Sequence, residues 1–228
     1  MKTKITGMLI AALFLSTLSH AQSNYRVIPS PWAFSWGAGL GSMVPSGQLG
    51  ENFKAGFAAD TEISIYYQKA FLMINGGFSP STLSADIRVV DENNNETSWL
   101  AGSGSMHAYV AANLGVKIFE EDNISFYPFA GIGYGFIEPN LKTSNSDPLL
   151  SNLKINSFIW NAGFGIDYHF PDKDYAPEKI NRILKTGMRY QFQKPNYEKN
   201  SDNLNGATHW LTLRFVIGST MPGKVVYY

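Results

Sequence analysis

Apolar residues fall on every second position in eight separate stretches of the chain. A period of two places them on one face of a β-strand, and the 3.6-residue period of a helix fits none of the stretches. Their apolar positions begin at Trp32, Phe57, Leu72, Met106, Ile124, Phe158, Leu184 and Leu211. The third stretch is the weakest, because Phe71 and Met73 interrupt its alternation. The pattern predicts an all-β chain of eight strands.

The opposite face of these strands is polar. It carries six charged residues: Asp60, Glu62, Lys117, Asp167, Arg189 and Arg214. If the strands form a barrel, the side on which these charges lie distinguishes a soluble barrel from a membrane barrel. A soluble ligand-binding barrel has its apolar face inside and its charges in water. Here the apolar face is large, aromatic and nearly free of charge, as a lipid-facing wall must be, since a charge there costs about 2–4 kcal/mol at mid-membrane. We therefore expect the apolar face to meet lipid and the polar face to line the interior.

Long and short connections alternate between the predicted strands. The long ones are residues 42–56, 79–104, 138–156 and 194–207, and the others are 69–70, 120–123 and 171–183. Outer-membrane barrels have short periplasmic turns and longer external loops, and a tilted strand of about 9–11 residues crosses the bilayer. The order fits an even number of strands that begins in the periplasm. The sequence therefore predicts an eight-stranded antiparallel transmembrane β-barrel of the outer membrane.

The amino-acid composition agrees with a barrel whose outer face meets lipid. Only 16% of the 228 residues are charged, against about 25% in an ordinary soluble domain, while 14% are aromatic and 21 are glycine. The 18 basic and 18 acidic side chains balance, which argues against a nucleic-acid partner. The chain has no cysteine, so disulfides, thiolate zinc sites and cysteine nucleophiles are excluded.

The N-terminus has the pattern of a secretory signal peptide. Lys2 and Lys4 precede an apolar run from residue 8 to 18, and Ser19-His20-Ala21 provides the small residues of a cleavage site. We expect cleavage near Ala21, which leaves residues 22–228 as the barrel domain. The protein is then exported, with the outer membrane as its destination.

Glycine-rich strands carry a resemblance to a known family. The segments that carry it are residues 36–41, 45–47, 53–56, 130–135 and 161–168. They resemble the small outer-membrane barrels of Gram-negative bacteria, the OmpA/OmpX-like and PorT-like group. A nucleotide-binding loop is not indicated, because the alternation continues through the glycines and no helix follows. No cofactor is predicted.

The resemblance implies a set of partners. Members contact outer-membrane lipid and lipopolysaccharide and are inserted by the barrel-insertion machinery, which reads a terminal aromatic residue. Phe215 and Tyr228 are both candidates for that residue. PorT-like members imply an accessory role in protein secretion. Long loops also allow an extracellular or periplasmic protein partner.

The six inward charges are the candidate functional set. Three acids against three bases predict ion pairs, which buried charges require. The alternative is a charged lining that selects ions in a narrow transport pore. An eight-stranded barrel is only wide enough for its side chains to fill, so we predict a closed interior.

Enzymatic chemistry finds little support in the sequence. His209 faces lipid by parity, but no His-x-Ser pairing with an orienting carboxylate is present. His107 and His169 point inward, and no set of three or four convergent metal ligands is evident. We predict no catalytic or metal-binding residue. The expected role is structural or interactive, through long external loops. Among these, we expect the third and fourth strands to extend beyond the membrane as a protruding hairpin around residues 87–100.

Overall fold

A computed structural model describes residues 25–90, 96–121, 123–140, 154–197, 201 and 204–227. The predicted signal peptide with its cleavage near Ala21, the loop tip at 91–95 and Tyr228 lie outside the described residues. The elements are β1 (Tyr25–Ile28), β2 (Trp32–Gly47), α1 (Gln48–Asn52), β3 (Gly56–Tyr67), β4 (Ala70–Thr82), β5 (Ile87–Val90), β6 (Glu96–Trp99), β7 (Gly104–Val116), β8 (Phe119–Glu121), β9 (Ile124–Asn140), β10 (Ile155–His169), β11 (Arg182–Pro195), β12 (Gly206–Thr220) and β13 (Lys224–Tyr227).

Eight of these strands close into one barrel. Their order around it is β2, β3, β4, β7, β9, β10, β11 and β12, and every pairing is antiparallel. The last strand returns to the first, with a register that runs from Gly206 opposite Gly47 to Thr220 opposite Ala33. Closure leaves no open edge in the barrel sheet. The predicted eight-stranded antiparallel barrel is confirmed.

The two ends of the barrel differ. One end, called the turn end, holds Gln68, Lys117 and Phe170; the other, called the loop end, holds Gly47, Thr82 and Pro195. At the loop end, α1 follows β2 in the chain, and β5 and β6 follow β4. β5 and β6 form a two-stranded sheet of their own, so the expectation that the third and fourth barrel strands continue into this hairpin is wrong. At the turn end, β1 pairs with β13 outside the barrel.

Several strands extend further toward the loop end than the alternation predicts. β2 continues to Gly47 instead of ending at Gly41, and β9 continues to Asn140 instead of Phe136. The long connections are correspondingly shorter than expected. In the β9 extension, Ile137 packs into a buried cluster with apolar residues of the loop end, so burial within the protein stabilises this part of the strand.

The outer wall is apolar and exposed over the whole barrel. Trp36, Leu114 and Trp160 are 45%, 70% and 65% exposed, whereas the inward-facing Arg189 is 1% exposed. A protein in water would show the reverse arrangement, and a lipid-facing barrel shows this one. No helix among the described residues is long and apolar enough to cross a membrane.

Aromatic rings inside the barrel lie over glycines of the neighbouring strand. Phe71 is opposite Gly115, Phe129 opposite Gly163, Tyr127 opposite Gly165 and Tyr109 opposite Gly77. A Cβ atom added at any of these glycines would overlap a ring. The glycines therefore provide space that inward aromatic rings fill. The same packing explains the weak alternation of β4, since Phe71 and Met73 are both buried in the interior.

Candidate functional site in the barrel interior

Two arginines and three carboxylates form a hydrogen-bonded network in the middle of the barrel. Period two places Asp60 and Glu62 on the inward face of β3, Asp167 on that of β10, and Arg189 and Arg214 on those of β11 and β12. The Arg189 Nη2 atom lies 2.6 Å from Asp60 Oδ2, and Arg214 Nη2 lies 3.1 Å from Asp167 Oδ1. Both guanidinium groups donate to the same Glu62 Oε2 atom, Arg214 at 2.5 Å. All five side chains are at most 3% exposed.

Two neutral side chains also donate hydrogen bonds to the carboxylates of the network. The Thr212 hydroxyl donates to Asp60 Oδ2 at 2.9 Å, and the Tyr127 hydroxyl donates to Asp167 Oδ1 at 3.3 Å. Buried charges are tolerated when they are paired and their remaining lone pairs accept hydrogen bonds. The network therefore links strands on different sides of the lumen and fills its centre.

Lys117 does not belong to this network, contrary to the sequence-based expectation. It lies one residue beyond the end of β7, and its Nζ atom pairs with Glu120 Oε1 at 2.7 Å near the turn end. Strand parity ceases to fix the side-chain direction once the strand has ended. Burial opposes ionisation of the Glu120 carboxyl, but the hydrogen bond and charge of Lys117 outweigh it and lower its pKa.

The third interior base is Lys185. It is 3% exposed and lies on β11 at the same parity as Arg189. Its ammonium lies 4.8 Å from the centre of the Tyr66 ring. Parity within β11 is the sequence signal that places it on the inward face. With Lys185 in place of Lys117, three buried acids still face three buried bases.

A chain of amides crosses the lumen beside the ion pairs. Asn161 donates to Asn113 at 2.6 Å, Asn113 donates to Asn75 at 2.8 Å, and Asn75 donates to Gln191 at 2.8 Å. These residues come from β10, β7, β4 and β11, so the chain connects strands that are not neighbours. The amides bond to one another along the chain, whereas Asn161 Oδ1 and Gln191 Nε2 at its two ends are buried without a hydrogen-bond partner among the described residues.

The loop end is closed by a hydrophobic cluster, called the loop-end cap. It combines α1, the β5–β6 hairpin, the extended ends of β9 and β10 and four loop residues. Its members are Leu49, Phe53, Leu83, Ile87, Val89, Trp99, Ile137, Ile155, Tyr197 and Leu204, all at most 4% exposed. Burial raises the pKa of the Tyr197 phenol. Sequence periodicity could not find the cap, because its residues come from segments without a regular pattern.

The turn end, by contrast, holds an open cavity of about 560 Å³, called the turn-end vestibule. Its apolar lining includes Trp32, Ala33, Tyr66, Phe170 and Leu184, and its charged lining includes Lys117, Glu120, Asp172, Arg182 and Lys185. The imidazole of His169 also lines it and lies 2.8 Å from the Ser125 hydroxyl. Among the described residues, no three His, Asp or Glu side chains are arranged to hold a metal ion.

On the outer wall, His209 has two partners that the sequence did not reveal. The Tyr190 hydroxyl lies 2.7 Å from its Nδ1 atom, and the Ser46 hydroxyl lies 3.0 Å from its Nε2 atom. The register between β12 and its two neighbours brings these three side chains together. Ser46 in turn donates to the Ala207 carbonyl oxygen at 3.3 Å. Sequence spacing carries no signal for a contact that depends on strand register.

Comparison with known proteins gives similarity at the level of solved structures. No family model and no curated protein sequence matches the chain. The structure is similar to that of Neisserial surface protein A, with 13% identity and a TM-score of 0.46 over 82% of this chain and 95% of the other. It is also similar to a major outer membrane protein of Thermus thermophilus, with 13% identity and a TM-score of 0.44 over 82% and 98%. The Ail protein of Yersinia pestis, solved with the heparin analogue sucrose octasulfate, has 10% identity and a TM-score of 0.36 over 86% and 99%.

The class of this chain follows from its own geometry. A closed sheet removes every edge of the barrel, the exposed wall is apolar, and the charges pair inside. These three features together are those of the small eight-stranded barrels of the outer membrane.

Proposed function

We propose that this chain is a non-enzymatic, integral outer-membrane barrel that acts structurally or by surface interaction through its loop end. The observation that carries the proposal is the filled interior, which holds an ion-pair network with an amide chain beside it and has the loop-end cap at one end. A barrel that is filled in this way offers its wall to lipid and its loops to partners. Its lumen is not free for transport.

A narrow pore is disfavoured by both the charges and the cap. Pores that select ions by charge present side chains to water, whereas these carboxylates and guanidinium groups bond to one another. The cap adds an apolar closure at the loop end. Opening a path would therefore expose apolar residues and separate buried ion pairs.

We expect no stable single-channel steps when the purified protein is inserted into planar lipid bilayers. The physical reason is the filled lumen, which leaves no continuous water path between the two ends. Recordings at several voltages, with an established porin as positive control, measure this directly. Reproducible steps of constant size would contradict the closed barrel.

The group around His209 does not support catalysis. His209 hydrogen bonds to the Tyr190 hydroxyl through Nδ1 and to the Ser46 hydroxyl through Nε2. No carboxylate of the described residues is hydrogen bonded to its ring, and such a carboxylate orients the imidazole in a Ser-His-Asp triad. The contacts instead satisfy both ring nitrogens of a histidine on the lipid-facing wall.

The β5–β6 hairpin is a regular element of the loop end that has one buried and one exposed face. Its inward residues Ile87, Val89 and Trp99 are buried in the cap, while the outward Arg88 and Glu96 side chains are 74% and 64% exposed. The two strands pair with each other and not with the barrel sheet. Extended strands of this kind can accept a partner by β-augmentation. The hairpin is therefore the favoured interaction surface.

Cysteine labelling tests the location and orientation together, because the chain has no cysteine of its own. In intact cells, we expect Arg88→Cys to react with a polyethylene-glycol maleimide too large to pass through porins. We expect Lys173→Cys, exposed at the turn end, to react only after the outer membrane is permeabilised. A gel shift measures both reactions. Labelling of Lys173→Cys alone in intact cells would reverse the orientation, and labelling of neither would contradict a surface-exposed loop end.

A further inference from the structure

The turn-end vestibule has the size and lining of a small-molecule site. Its volume of about 560 Å³ lies within the range of about 300–1,000 Å³ that is usual for ligand pockets. Aromatic and aliphatic side chains form much of its wall, and a few charged groups converge at its floor. The side chains that fill the barrel interior leave this cavity open.

At the floor of the vestibule, around the Tyr66 ring, only one of two lysines has an ion-pair partner among the described residues. Two ammonium groups, of Lys117 and Lys185, approach the ring of Tyr66 at 5.5 and 4.8 Å from its centre. Lys117 pairs with Glu120, but no carboxylate of the described residues lies within ion-pair distance of the buried Lys185. Lys185 is therefore a buried cation that faces a cavity without a hydrogen-bonded anion.

The carboxylates near Lys185 already form hydrogen bonds with other groups. Asp167, Glu62 and Glu120 act on it electrostatically, and each is hydrogen bonded to another base. At the mouth of the vestibule, Asp172 accepts hydrogen bonds from the backbone amides of Asp174 and Arg182. The ammonium of Lys185 is thus available to an anion that enters from the turn end.

We propose that the turn-end vestibule binds a small amphipathic organic anion. Its carboxylate or phosphate group lies against Lys185 and Lys117 at the floor. Its apolar part contacts Trp32, Ala33 and Phe170 on the wall. Two donors on one anionic group, one of them from the buried Lys185, give charge-assisted hydrogen bonds that an uncharged analogue cannot form.

Binding can be measured on the purified chain in lipid nanodiscs by ligand-observed NMR, with empty nanodiscs as the blank. The probes are benzoate, phenyl phosphate, benzyl alcohol and inorganic phosphate. We expect saturable binding of benzoate or phenyl phosphate, with benzyl alcohol and inorganic phosphate each at least tenfold weaker. The tighter of the two aromatic anions identifies the head group as carboxylate or phosphate.

Substitutions locate the site. Lys185→Met, which keeps most of the side-chain length and removes the ammonium, is expected to weaken binding of the aromatic anion at least tenfold. Lys117→Met is a second variant that lies outside the strands and also frees the Glu120 carboxylate to repel the ligand. Lys54→Met, exposed at the opposite end of the barrel, is the matched control and should bind as the unmodified chain does.

Three results would overturn the proposal: no saturable binding of either aromatic anion, equal binding of benzyl alcohol, or unchanged affinity in both Lys185→Met and Lys117→Met. If Lys185→Met does not fold, Lys117→Met alone decides. The outcome is independent of the closed lumen, which the bilayer recordings test separately.

Discussion

Arg189→Met is expected to lower the free energy of unfolding of the barrel by about 3–5 kcal/mol. The guanidinium of Arg189 donates to Asp60 and to Glu62, and its side chain is 1% exposed. Methionine keeps much of the volume but leaves the Asp60 carboxylate with only the Thr212 hydroxyl. A buried carboxylate without a cation has lost its compensation for desolvation, which is why removing one partner of a buried pair costs so much. Urea unfolding in lipid vesicles, followed by tryptophan fluorescence, measures the change.

A double-mutant cycle and an exposed pair provide the controls. Adding Asp60→Asn to Arg189→Met removes the stranded charge, so the double variant should be more stable than Arg189→Met alone. Arg88→Met breaks the exposed pair with Glu96 and should change the stability by no more than about 1 kcal/mol. An Arg189→Met protein that unfolds within about 1 kcal/mol of the unmodified chain would show that the network contributes little.

Gly165→Val is expected to destabilise the barrel by about 3 kcal/mol, at the upper end of the usual cost of overpacking. The ring of Tyr127 lies where the new Cβ atom would be placed. The ring has to move, and with it goes the hydrogen bond from Tyr127 to Asp167. The same urea titration measures the loss, and the shift of the folded band on unheated gels shows whether the barrel still closes.

Gly76→Val is the matched control because Gly76 belongs to β4 and faces lipid. A Cβ atom there meets only backbone atoms, the nearest at 3.1 Å, so we expect a much smaller effect. Tyr127→Ala combined with Gly165→Val should recover part of the loss, since the smaller side chain removes the overlap. Equal destabilisation by Gly165→Val and Gly76→Val would contradict the packing role of the interior glycines.

The interior packing gives the composition a more specific explanation. Many glycines and aromatics are expected of a lipid-facing barrel, and the outward aromatics do form its wall. A second set of aromatics, however, points inward and fills the space left by glycines across the strand, as Tyr127 does over Gly165. The glycines are therefore needed for the packing of neighbouring rings as well as for room around the arginines. This pairing gives each interior layer a tight fit.

Sequence reasoning placed individual side chains well where they lie within a strand. Asp60, Glu62, Asp167, Arg189 and Arg214 all point inward, because parity is a local property of an extended chain. It failed for Lys117, which lies one residue past its strand. Parity alone also could not choose Lys185 as the third base, because it assigns a face but not a depth in the barrel.

The sequence by itself determined the number of barrel strands, their faces and the alternation of long and short connections, since each depends on residues that are close along the chain. Only the tertiary structure decided which groups meet. Glu62 bonds to Arg189 and Arg214, which lie 127 and 152 positions further along the chain. Ser46 contacts His209 across the seam that closes the barrel. The loop-end cap and the turn-end vestibule likewise depend on closure and register. Such contacts are set by how the strands align around the barrel, and no local period in the sequence encodes that alignment.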